Sequence, residues 1–319
     1  MLDMMVYQNE SSWDTLIKGH IHRGSTRLAL NLYREMQKDG SIYPSERTFV
    51  ALLKACTKHR DLELGGLLHA DAHKTRLLEK NLYVGATLVD MYGRCGSLCK
   101  AQEVFDELHI RDVVSWNALI SGYADHDCGE KSLMCFEHMQ AEGLYPNAIT
   151  YVCVLKACSN IRAIETGQKI HSDIEKNGLL QTNLFIGNSL VDMYAKCRLL
   201  SKARDVYEKL PVRDVISYNT LIAGYTEHGH GEEALELYTK MQLENIAPNV
   251  VTYICILKSC TIIGAEEKGQ EMHVELARQG LLAKHLVIGN ALVDMYAKCG
   301  LLAKAQETFN NLVVWDVVS

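Results

Sequence analysis

The sequence has few prolines and no long apolar segment. Only 4 of its 319 residues are proline, which argues against long disordered linkers. No apolar run reaches the roughly 20 residues that a membrane-spanning helix needs. No basic, serine-rich leader and no secretory signal precedes the first predicted helix. We therefore expect a folded chain that has no membrane partner and that contains no targeting segment.

The charge argues against nucleic-acid binding through bulk positive charge, and the cysteine spacing argues against a structural zinc site. A formal net charge of -6 argues against nucleic-acid binding through bulk positive charge alone. The 11 cysteines include no Cys-x-x-Cys pair, so a structural zinc site of that type is not expected. Cys95, Cys197 and Cys299 recur about a hundred residues apart, as one position of a repeated unit does. We expect such cysteines to be small, buried, reduced thiols.

An internal repeat organises the sequence. The segment "DVVSWNALISGYADHDCGEKSLMCFEHMQAEGLYPN", which begins at Asp112, returns as "DVISYNTLIAGYTEHGHGEEALELYTKMQLENIAPN", which begins at Asp214. Three related helical hairpins of different length follow one another, and this series of three then repeats along the chain. The predicted repeats are 10–45, 46–81, 82–112, 113–147, 148–183, 184–214, 215–249, 250–285 and 286–316. Residues 1–9 are expected to be the tail of a truncated short repeat, and 317–319 the start of another.

Each repeat is predicted to contain two helices. In the repeat at 215–249, Tyr218, Leu221 and Tyr225 lie on one helical face. Gly229 interrupts the pattern, a second apolar stripe follows, and Pro248 ends it. A single hairpin cannot bury both apolar faces, whereas stacked hairpins bury them against their neighbours. We therefore predict an all-α fold, a right-handed α-solenoid of stacked helix-turn-helix repeats with one concave surface and no second domain.

Two residue types recur in the second helix of the long repeats. One position holds Gly65, Gly167 and Gly269, and the position four residues later holds His69, His171 and His273. Because glycine costs about 1 kcal/mol in a helix interior, its recurrence predicts close helix packing. Histidines so far apart in sequence cannot share one ion in an extended solenoid, and we interpret them as packing or rim residues. No metal site and no cofactor are predicted.

The hairpins resemble pentatricopeptide repeats of the plant type that alternates standard, long and short motifs. The resemblance is carried by "VVSWNALISGYA", "VISYNTLIAGYT", "ITYVCVLKAC", "LFIGNSLVDMYAKC" and "LVIGNALVDMYAKCG", and it covers nearly the whole chain. It implies that the chain is an excerpt from a longer array. The alternative, the peptide-binding tetratricopeptide repeat, favours a uniform period and a W-x2-L-G-x2-Y pattern, and the sequence has neither.

The resemblance implies single-stranded RNA as the partner, bound along the concave groove at one base per repeat. RNA is generally recognised through unstacked bases and their hydrogen-bonding edges. In this family, a residue of the first helix and the last residue of the repeat read the base together. The corresponding pairs are Asp14 with Ser45, Val50 with Asn81, Ala86 with Asp112, Asn117 with Asn147, Val152 with Asn183, Asn188 with Asp214, Asn219 with Asn249, Ile254 with His285, and Asn290 with Asp316.

The polar pairs predict bases. An ionised carboxylate only accepts hydrogen bonds, so the pair Asn188 and Asp214 suits the N3–H of uracil and not the N3 acceptor of cytosine. The family likewise reads this combination as U. Two asparagines, as at Asn117 and Asn147, can donate or accept, and the family reads them as a pyrimidine, mostly C. The aliphatic pairs of the long repeats and the pairs of the first and third repeats are assigned no base. The predicted site, 5′ to 3′ along the chain, is N-N-N-Y-N-U-Y-N-U.

The resemblance also implies contacts to base faces and phosphates. The second residue of each repeat is expected to stack on bases, at Val114, Ile149, Phe185, Ile216, Val251 and Val287. The alternative is that these side chains only begin the helix packing. A cation ends the first helix of each short repeat, at Arg94, Lys196 and Lys298. A phosphate contact and a solvated surface cation both remain open for these three, and so few cations predict a shallow salt dependence.

We predict no catalytic residues in this chain. Plant arrays of this type resemble organellar C-to-U editing factors, which often end in a zinc deaminase domain that needs H-x-E and P-C-x-x-C. The "HVE" at His273 to Glu275 matches the first half but lies in a repeat helix without a Cys-x-x-Cys partner. The resemblance implies a mitochondrial or chloroplast location and a deaminase or editing partner in cis or in trans. The alternative function is a protein-interaction scaffold without RNA selectivity.

Overall fold

The computed structural model describes residues 10–38 and 42–312. Across those two ranges the regular structure is helical and contains no strand. No helix there is both long enough and apolar enough to cross a membrane. The chain divides into two compact units, residues 1–161 and 162–319.

The first unit is a stack of helix pairs joined by short turns. Its helices are α1 (Glu10–His22), α2 (Thr26–Gln37), α3 (Glu46–His59), α4 (Leu62–Lys74), α5 (Leu77–Lys80), α6 (Leu82–Arg94), α7 (Leu98–Glu107), α8 (Val113–Asp125), α9 (Gly129–Ala141) and α10 (Ala148–Ile161). The helices that open the predicted repeats contact one another in the order α1, α3, α6, α8 and α10. Each second helix packs against the helix before it and against the first helix of the next repeat. Every hairpin therefore buries its apolar faces against its neighbours.

The second unit repeats the same pattern. Its helices are α11 (Ile164–Lys176), α12 (Leu179–Thr182), α13 (Leu184–Lys196), α14 (Leu200–Lys209), α15 (Val215–Glu227), α16 (Gly231–Leu243), α17 (Val250–Ile263), α18 (Glu266–Arg278), α19 (Leu281–Lys284), α20 (Leu286–Lys298) and α21 (Leu302–Asn310). The first helices contact in the order α13, α15, α17 and α20. The two units thus have the same local architecture.

The long repeats contain a third helix that the two-helix prediction missed. A one-turn helix, α5, α12 or α19, follows the second helix of each long repeat. It starts after a residue with left-handed backbone, at Arg76 (φ 54°), Gly178 (φ 64°) and Gly280 (φ 66°). Four residues are too few to give a helical apolar period, so the sequence pattern does not indicate this element.

The glycine position of the long repeats is confirmed as a place of close helix packing. A Cβ added at Gly65, Gly167 or Gly269 would lie 2.6, 2.8 or 2.6 Å from the Cε of Met91, Met193 or Met295. In each case the methionine belongs to the first helix of the following short repeat. Its flexible thioether fills the space that glycine leaves.

The histidine position of the long repeats is confirmed as a packing position. His171 Nδ1 lies 2.8 Å from the hydroxyl of Tyr194, and His273 Nδ1 lies 2.9 Å from the hydroxyl of Tyr296. In both cases the tyrosine belongs to the first helix of the following repeat. Burial lowers the pKa of both histidines. These residues therefore join successive hairpins as neutral side chains.

All 11 cysteines lie within the described residues, and all are free thiols. The buried ones are Cys56, Cys135, Cys153, Cys158, Cys197 and Cys260. Burial raises the pKa of Cys56 to about 12 and that of Cys260 to about 11, so these thiols are unreactive. Of the three recurring cysteines, only Cys197 is buried, so the expectation of burial is wrong for Cys95 and Cys299, which are half-buried.

Candidate nucleic-acid interface

Asn117 and Asn147 meet in a hydrogen-bonded network between two hairpins. Asn117 Nδ2 donates to Asn147 Oδ1 at 3.1 Å, and Thr150 Oγ1 donates to Asn117 Oδ1 at 2.7 Å. Asn147 Oδ1 also accepts the backbone N–H of Thr150 at 3.0 Å, at the start of α10. Only 7% of Asn117 is exposed. The two predicted reading residues are thus held in one defined arrangement.

The second unit contains the same network at Asn219 and Asn249. Asn219 Nδ2 donates to Asn249 Oδ1 at 3.0 Å, and Thr252 Oγ1 donates to Asn219 Oδ1 at 2.6 Å. Asn249 caps α17 in a capping box with Thr252. The geometry therefore belongs to this kind of repeat and not to one position in the chain.

The pair Asn188 and Asp214 has a different hydrogen-bonding state. Asp214 caps α15 by accepting the backbone N–H of Ser217 at 2.9 Å. Asn188 is 8% exposed, and its Oδ1 has no hydrogen-bond partner among the residues that the structure describes. An unsatisfied buried acceptor is costly. Because this oxygen is itself enclosed, the acceptor that the pair can offer to a base is the carboxylate of the half-buried Asp214. Of the analogous pair, Asn290 is half-buried and Asp316 lies outside the described residues.

Helix capping gives a second reason for Asn and Asp at the end of a repeat. Six of the predicted last residues accept a backbone N–H of the helix that follows, namely Asn81, Asp112, Asn147, Asn183, Asp214 and Asn249. Ser45 and His285 precede their helices without a side-chain cap. Any helical repeat favours Asn and Asp there, so their recurrence alone does not indicate RNA. Sequence reasoning missed this role, although the capping-box spacing at Asp112 and Ser115 signals it.

The structure brings the first predicted pair together. Asp14 Oδ1 accepts the backbone N–H of Ser45 at 3.0 Å, and Lys18 Nζ lies 3.3 Å from Asp14 Oδ2. Burial acts to raise the pKa of Asp14, but the hydrogen bonds from Ser45 and Thr48 and the charge of Lys18 together lower that pKa.

The remaining first-helix positions offer no polar group to a base. Ala86 and Val50 are buried, whereas Val152 and Ile254 are half-buried. No side-chain hydrogen bond can form between these four residues and the ends of their repeats. Their role in base recognition stays unassigned.

A row of apolar side chains is exposed at the second residue of the repeats. The exposed fractions are 48% for Val114, 62% for Ile149, 71% for Phe185, 49% for Ile216, 52% for Val251 and 60% for Val287. Helix packing covers these side chains only in part, so each leaves apolar surface that is accessible to a base. Base stacking stays a prediction, and so does the packing alternative.

A cleft in the first unit gathers predicted contact residues from consecutive repeats. Its volume is about 280 Å³. It is lined by Lys54, Tyr83, Ala86, Thr87, Asp90, Arg94, Val114, Asn117, Ala118, Ser121, Asn147, Ile149 and Cys153. The carboxamides of Asn117 and Asn147 thus lie in the same cleft as the exposed side chains of Val114 and Ile149. This combination can hold a flat heterocycle between aliphatic faces and offer polar groups to its edge.

Lys54 is a cleft residue that the sequence reasoning did not select. Its Nζ donates to the Tyr83 hydroxyl at 2.9 Å and lies 5.3 Å from the ring centroid. Lys54 belongs to α3 and Tyr83 to α6. The contact depends on the packing of two repeats, so no local pattern indicates it.

Each predicted phosphate cation is paired with an aspartate one turn earlier. The pairs are Arg94 with Asp90 at 2.7 Å, Lys196 with Asp192 at 2.8 Å, and Lys298 with Asp294 at 2.9 Å. The exposed fractions of the six side chains lie between 32% and 62%. The cations are therefore neither isolated nor buried, and their partners reduce the local positive charge.

The residues of the "HVE" motif have structural partners. His273 contacts Tyr296, and Glu275 pairs with Arg278 at 2.8 Å. The hydrogen bond from Arg278 lowers the pKa of Glu275 to about 2. A carboxylate held in this way is a poor proton carrier, which supports the interpretation of the motif as a coincidence.

The stacked hairpins and the recurring cleft residues define a helical repeat protein. Two family models match the sequence: the PPR repeat family at residues 8–58, 111–160 and 213–261, and the PPR repeat at residues 188–215 and 290–317. The chain belongs to the pentatricopeptide repeat family. Its repeats are therefore pentatricopeptide and not tetratricopeptide repeats.

Curated relatives from Arabidopsis thaliana match over almost the whole chain. Pentatricopeptide repeat-containing protein At4g18520, chloroplastic, is 34% identical over 100% of this chain and 51% of its own length. Pentatricopeptide repeat-containing protein At3g09040, mitochondrial, is 35% identical over 97% of this chain and 30% of its own length. The chain thus spans about half, or less, of the length of these relatives.

A solved structure supports the fold. The crystal structure of the pentatricopeptide repeat protein PPR10 in complex with an 18-nt psaJ RNA element matches with a TM-score of 0.67. The match covers 98% of this chain and 50% of that chain at 18% sequence identity. The predicted all-α solenoid is therefore confirmed.

Proposed function

We propose that this chain is a sequence-selective module that binds single-stranded RNA at one base per repeat. The observation that carries the proposal is the cleft in which Asn117 and Asn147 lie beside the exposed side chains of Val114 and Ile149. It is supported by membership of the pentatricopeptide repeat family and by the likeness of the fold to an RNA-bound family member.

The proposed array is of the type that alternates standard, long and short motifs. Two features of the described helices support it. Each long repeat ends in an extra one-turn helix, α5, α12 or α19. The second helix of each short repeat has only 10, 10 or 9 residues, in α7, α14 and α21, against 13 residues in α9 and α16. The nine predicted repeats then form a single array.

The proposed site is N-N-N-Y-N-U-Y-N-U. The two assignments to U depend on an acceptor, and the carboxylate of Asp214, which caps α15, is proposed to supply it in the sixth repeat. The two positions assigned to Y belong to the fourth and seventh repeats. In these repeats Asn117 bonds to Asn147 and Asn219 bonds to Asn249. Exposed aliphatic and aromatic side chains between the pairs would contact the base faces.

The chain is proposed to act in a mitochondrion or chloroplast, the locations in the names of its relatives. A module that selects an RNA site without catalytic residues of its own can bring an enzyme to that site. We propose a deaminase or another editing partner, in cis or in trans. The contacts of His273 and Glu275 support the interpretation that the "HVE" motif is not a deaminase site.

Titration of the chain with short single-stranded RNAs at fixed salt tests the proposal. One RNA carries Y-N-U-Y-N-U, and each of the others has a purine at one assigned position. Each mismatch is expected to weaken binding by about 1–3 kcal/mol, as for well-formed base contacts. A matched control carries the purine at an unassigned position and should bind like the parent RNA. Equal binding of all RNAs, or no binding, would contradict the proposal.

A further inference from the structure

Two histidines and a glutamate meet on the second helices of the first unit, outside the candidate interface. His69 and His73 lie one turn apart on α4, and Glu107 is the last residue of α7. His73 Nε2 lies 3.0 Å from His69 Nε2 and 3.3 Å from Glu107 Oε2. One donor atom from each of the three lies within 4.8 Å of the other two. The three side chains therefore converge on one point.

The two separations that involve His73 suit a divalent transition metal ion. Zinc binds histidine nitrogen and carboxylate oxygen at about 2.0–2.2 Å. Donor atoms 3.0 and 3.3 Å apart then subtend angles of roughly 90° to 105° at the ion, between octahedral and tetrahedral values. Imidazole and carboxylate together are donors that zinc accepts. Three protein ligands leave a further position for water.

Tyr92 can accept a hydrogen bond from the tautomer that His69 needs in order to bind an ion. His69 Nδ1 lies 3.2 Å from the Tyr92 hydroxyl. If Nδ1–H donates to that oxygen, the lone pair of Nε2 faces His73 and Glu107. Metal-bound histidines are commonly oriented through their other ring nitrogen in this way.

We call each series of three repeats a triplet: residues 10–112, 113–214 and 215–316. The second triplet has a lysine at the position that Glu107 occupies in the first. The equivalent residues there are His171, Glu175 and Lys209. Lys209 Nζ pairs with Glu175 Oε1 at 2.9 Å, and His171 Nε2 lies 3.5 Å from the same oxygen. The lysine supplies the positive charge at that junction. In the third triplet, Ala277 and Asn311 occupy the other two positions beside His273.

We propose that His69, His73 and Glu107 bind one divalent transition metal ion of the zinc class. The ion would join α4 to α7, the second helices of consecutive repeats, as the lysine–glutamate pair does in the second unit. A metal that binds the folded state stabilises it. None of the three ligands lines the cleft of the candidate interface, so the ion acts on the stability of the array.

Calorimetric titration of the full chain with zinc chloride, with thermal unfolding in parallel, tests the site. We expect one ion per chain and a melting temperature that rises with zinc concentration. Cobalt(II) should give a spectrum without a thiolate charge-transfer band, because no cysteine is a ligand. The substitution His73→Ala should weaken zinc binding by about tenfold or more, whereas Cys99→Ser should leave it unchanged. Absence of zinc binding, or equal binding by the His73 variant, would overturn the proposal.

Exchange of residues between the two triplets gives matched controls. The double variant His73→Glu with Glu107→Lys recreates the ion pair of the second triplet, and it should fold and bind no zinc. The reverse double variant, Glu175→His with Lys209→Glu, should raise the stoichiometry from one ion to two. A stoichiometry that neither exchange alters would show that zinc binds elsewhere. RNA titration of both variants should match that of the parent chain, which separates this proposal from the proposed function.

Discussion

At the scale of the residue, the last position of a repeat serves two purposes. Asn147 and Asn249 cap a helix and at the same time bond to the asparagine that is proposed to contact the base. Capping fixes the rotamer of the side chain and orients its remaining acceptor and donor groups. A reading residue that is fixed before RNA binds loses less conformational entropy on binding.

The substitution Asp214→Ala is expected to destabilise the chain by about 1 kcal/mol, because it removes the N-cap of α15. Asp214→Asn keeps a capping oxygen and should change the free energy of unfolding by only about 0.3 kcal/mol. Urea unfolding of the two variants and the parent measures the difference. Equal destabilisation by both substitutions would contradict the capping role.

The sequence paired two residues that the structure brings together, but it did not predict all of their bonds. The family resemblance paired Asn117 with Asn147, and Asn117 Nδ2 lies 3.1 Å from Asn147 Oδ1. The bond from Thr150 and the unsatisfied oxygen of Asn188 were not predicted. They depend on how adjacent hairpins pack, and the spacing of residues along one helix does not contain that information.

At the scale of the element, glycine sets how closely neighbouring helices approach. Gly231 begins α16, and a Cβ added there would lie 2.9 Å from the backbone oxygen of Ser259 in α17. It would also lie 2.7 Å from Cγ2 of Ile263. A backbone oxygen cannot move aside as the end of a side chain can, so this contact requires glycine.

Two Gly→Ala substitutions are therefore expected to have opposite effects on the stability of the chain. Gly231→Ala should destabilise the chain by about 1–3 kcal/mol through overpacking. Gly19→Ala should stabilise it by about 0.5–1 kcal/mol, because nothing lies within 4 Å of the added Cβ inside α1 and alanine favours the helix. Thermal and urea unfolding measure both. Destabilisation by Gly19→Ala, or a neutral Gly231→Ala, would contradict this account of the packing.

The sequence predicted the long helices but not the one-turn helices α5, α12 and α19. A long amphipathic helix leaves an apolar period, as Tyr218, Leu221 and Tyr225 do in α15. A single turn has no period, and it exists here because the chain reverses at Arg76, Gly178 and Gly280. Repeat length does not indicate it either, because the standard repeat at 10–45 has the same length as the long repeats.

At the scale of the whole molecule, stability depends on polar contacts that repeat from one triplet to the next. The neutral His171 and His273 each contact a tyrosine of the following hairpin. Burial holds the pKa of both below the ordinary value of 6.5. Protonation of these rings therefore favours the unfolded chain.

The free energy of unfolding is expected to fall as the pH is lowered below about 6.5. In that range the unfolded state binds protons that the folded histidines do not bind, so stability decreases with decreasing pH. Carboxylates with lowered pKa values, such as Glu175 and Glu233, lose their contribution only at lower pH. Urea unfolding at about pH 7.5, 6.5 and 5.5 measures the effect.

The double variant His171→Gln and His273→Gln is the control for this pH dependence. Glutamine does not titrate, so the decrease between about pH 6.5 and 5.5 should become smaller. The measurement is made with a chelator present, so that metal binding at His69 and His73 does not contribute. The same pH dependence in the parent and in the double variant would contradict the account.

The stacking of repeats could be predicted from the sequence, because each hairpin exposes an apolar face that only a neighbour can cover. The convergence of His69, His73 and Glu107 could not. The glutamate belongs to the next repeat, and it reaches the histidines only because α4 and α7 come close together in the stack. Contacts between repeats are the part of this molecule that its periodicity does not specify.

The most direct test of RNA reading is an exchange of the two kinds of pair. Asp214→Asn changes an Asn–Asp pair into an Asn–Asn pair, Asn147→Asp makes the reverse change, and both keep the helix cap. Binding is measured to RNAs that carry U or C at the positions proposed to face these pairs. We expect the first variant to prefer C where the parent chain prefers U, and the second variant to prefer U where the parent chain prefers C. Unchanged preferences in both variants, with normal folding, would contradict the claim that these pairs read the base.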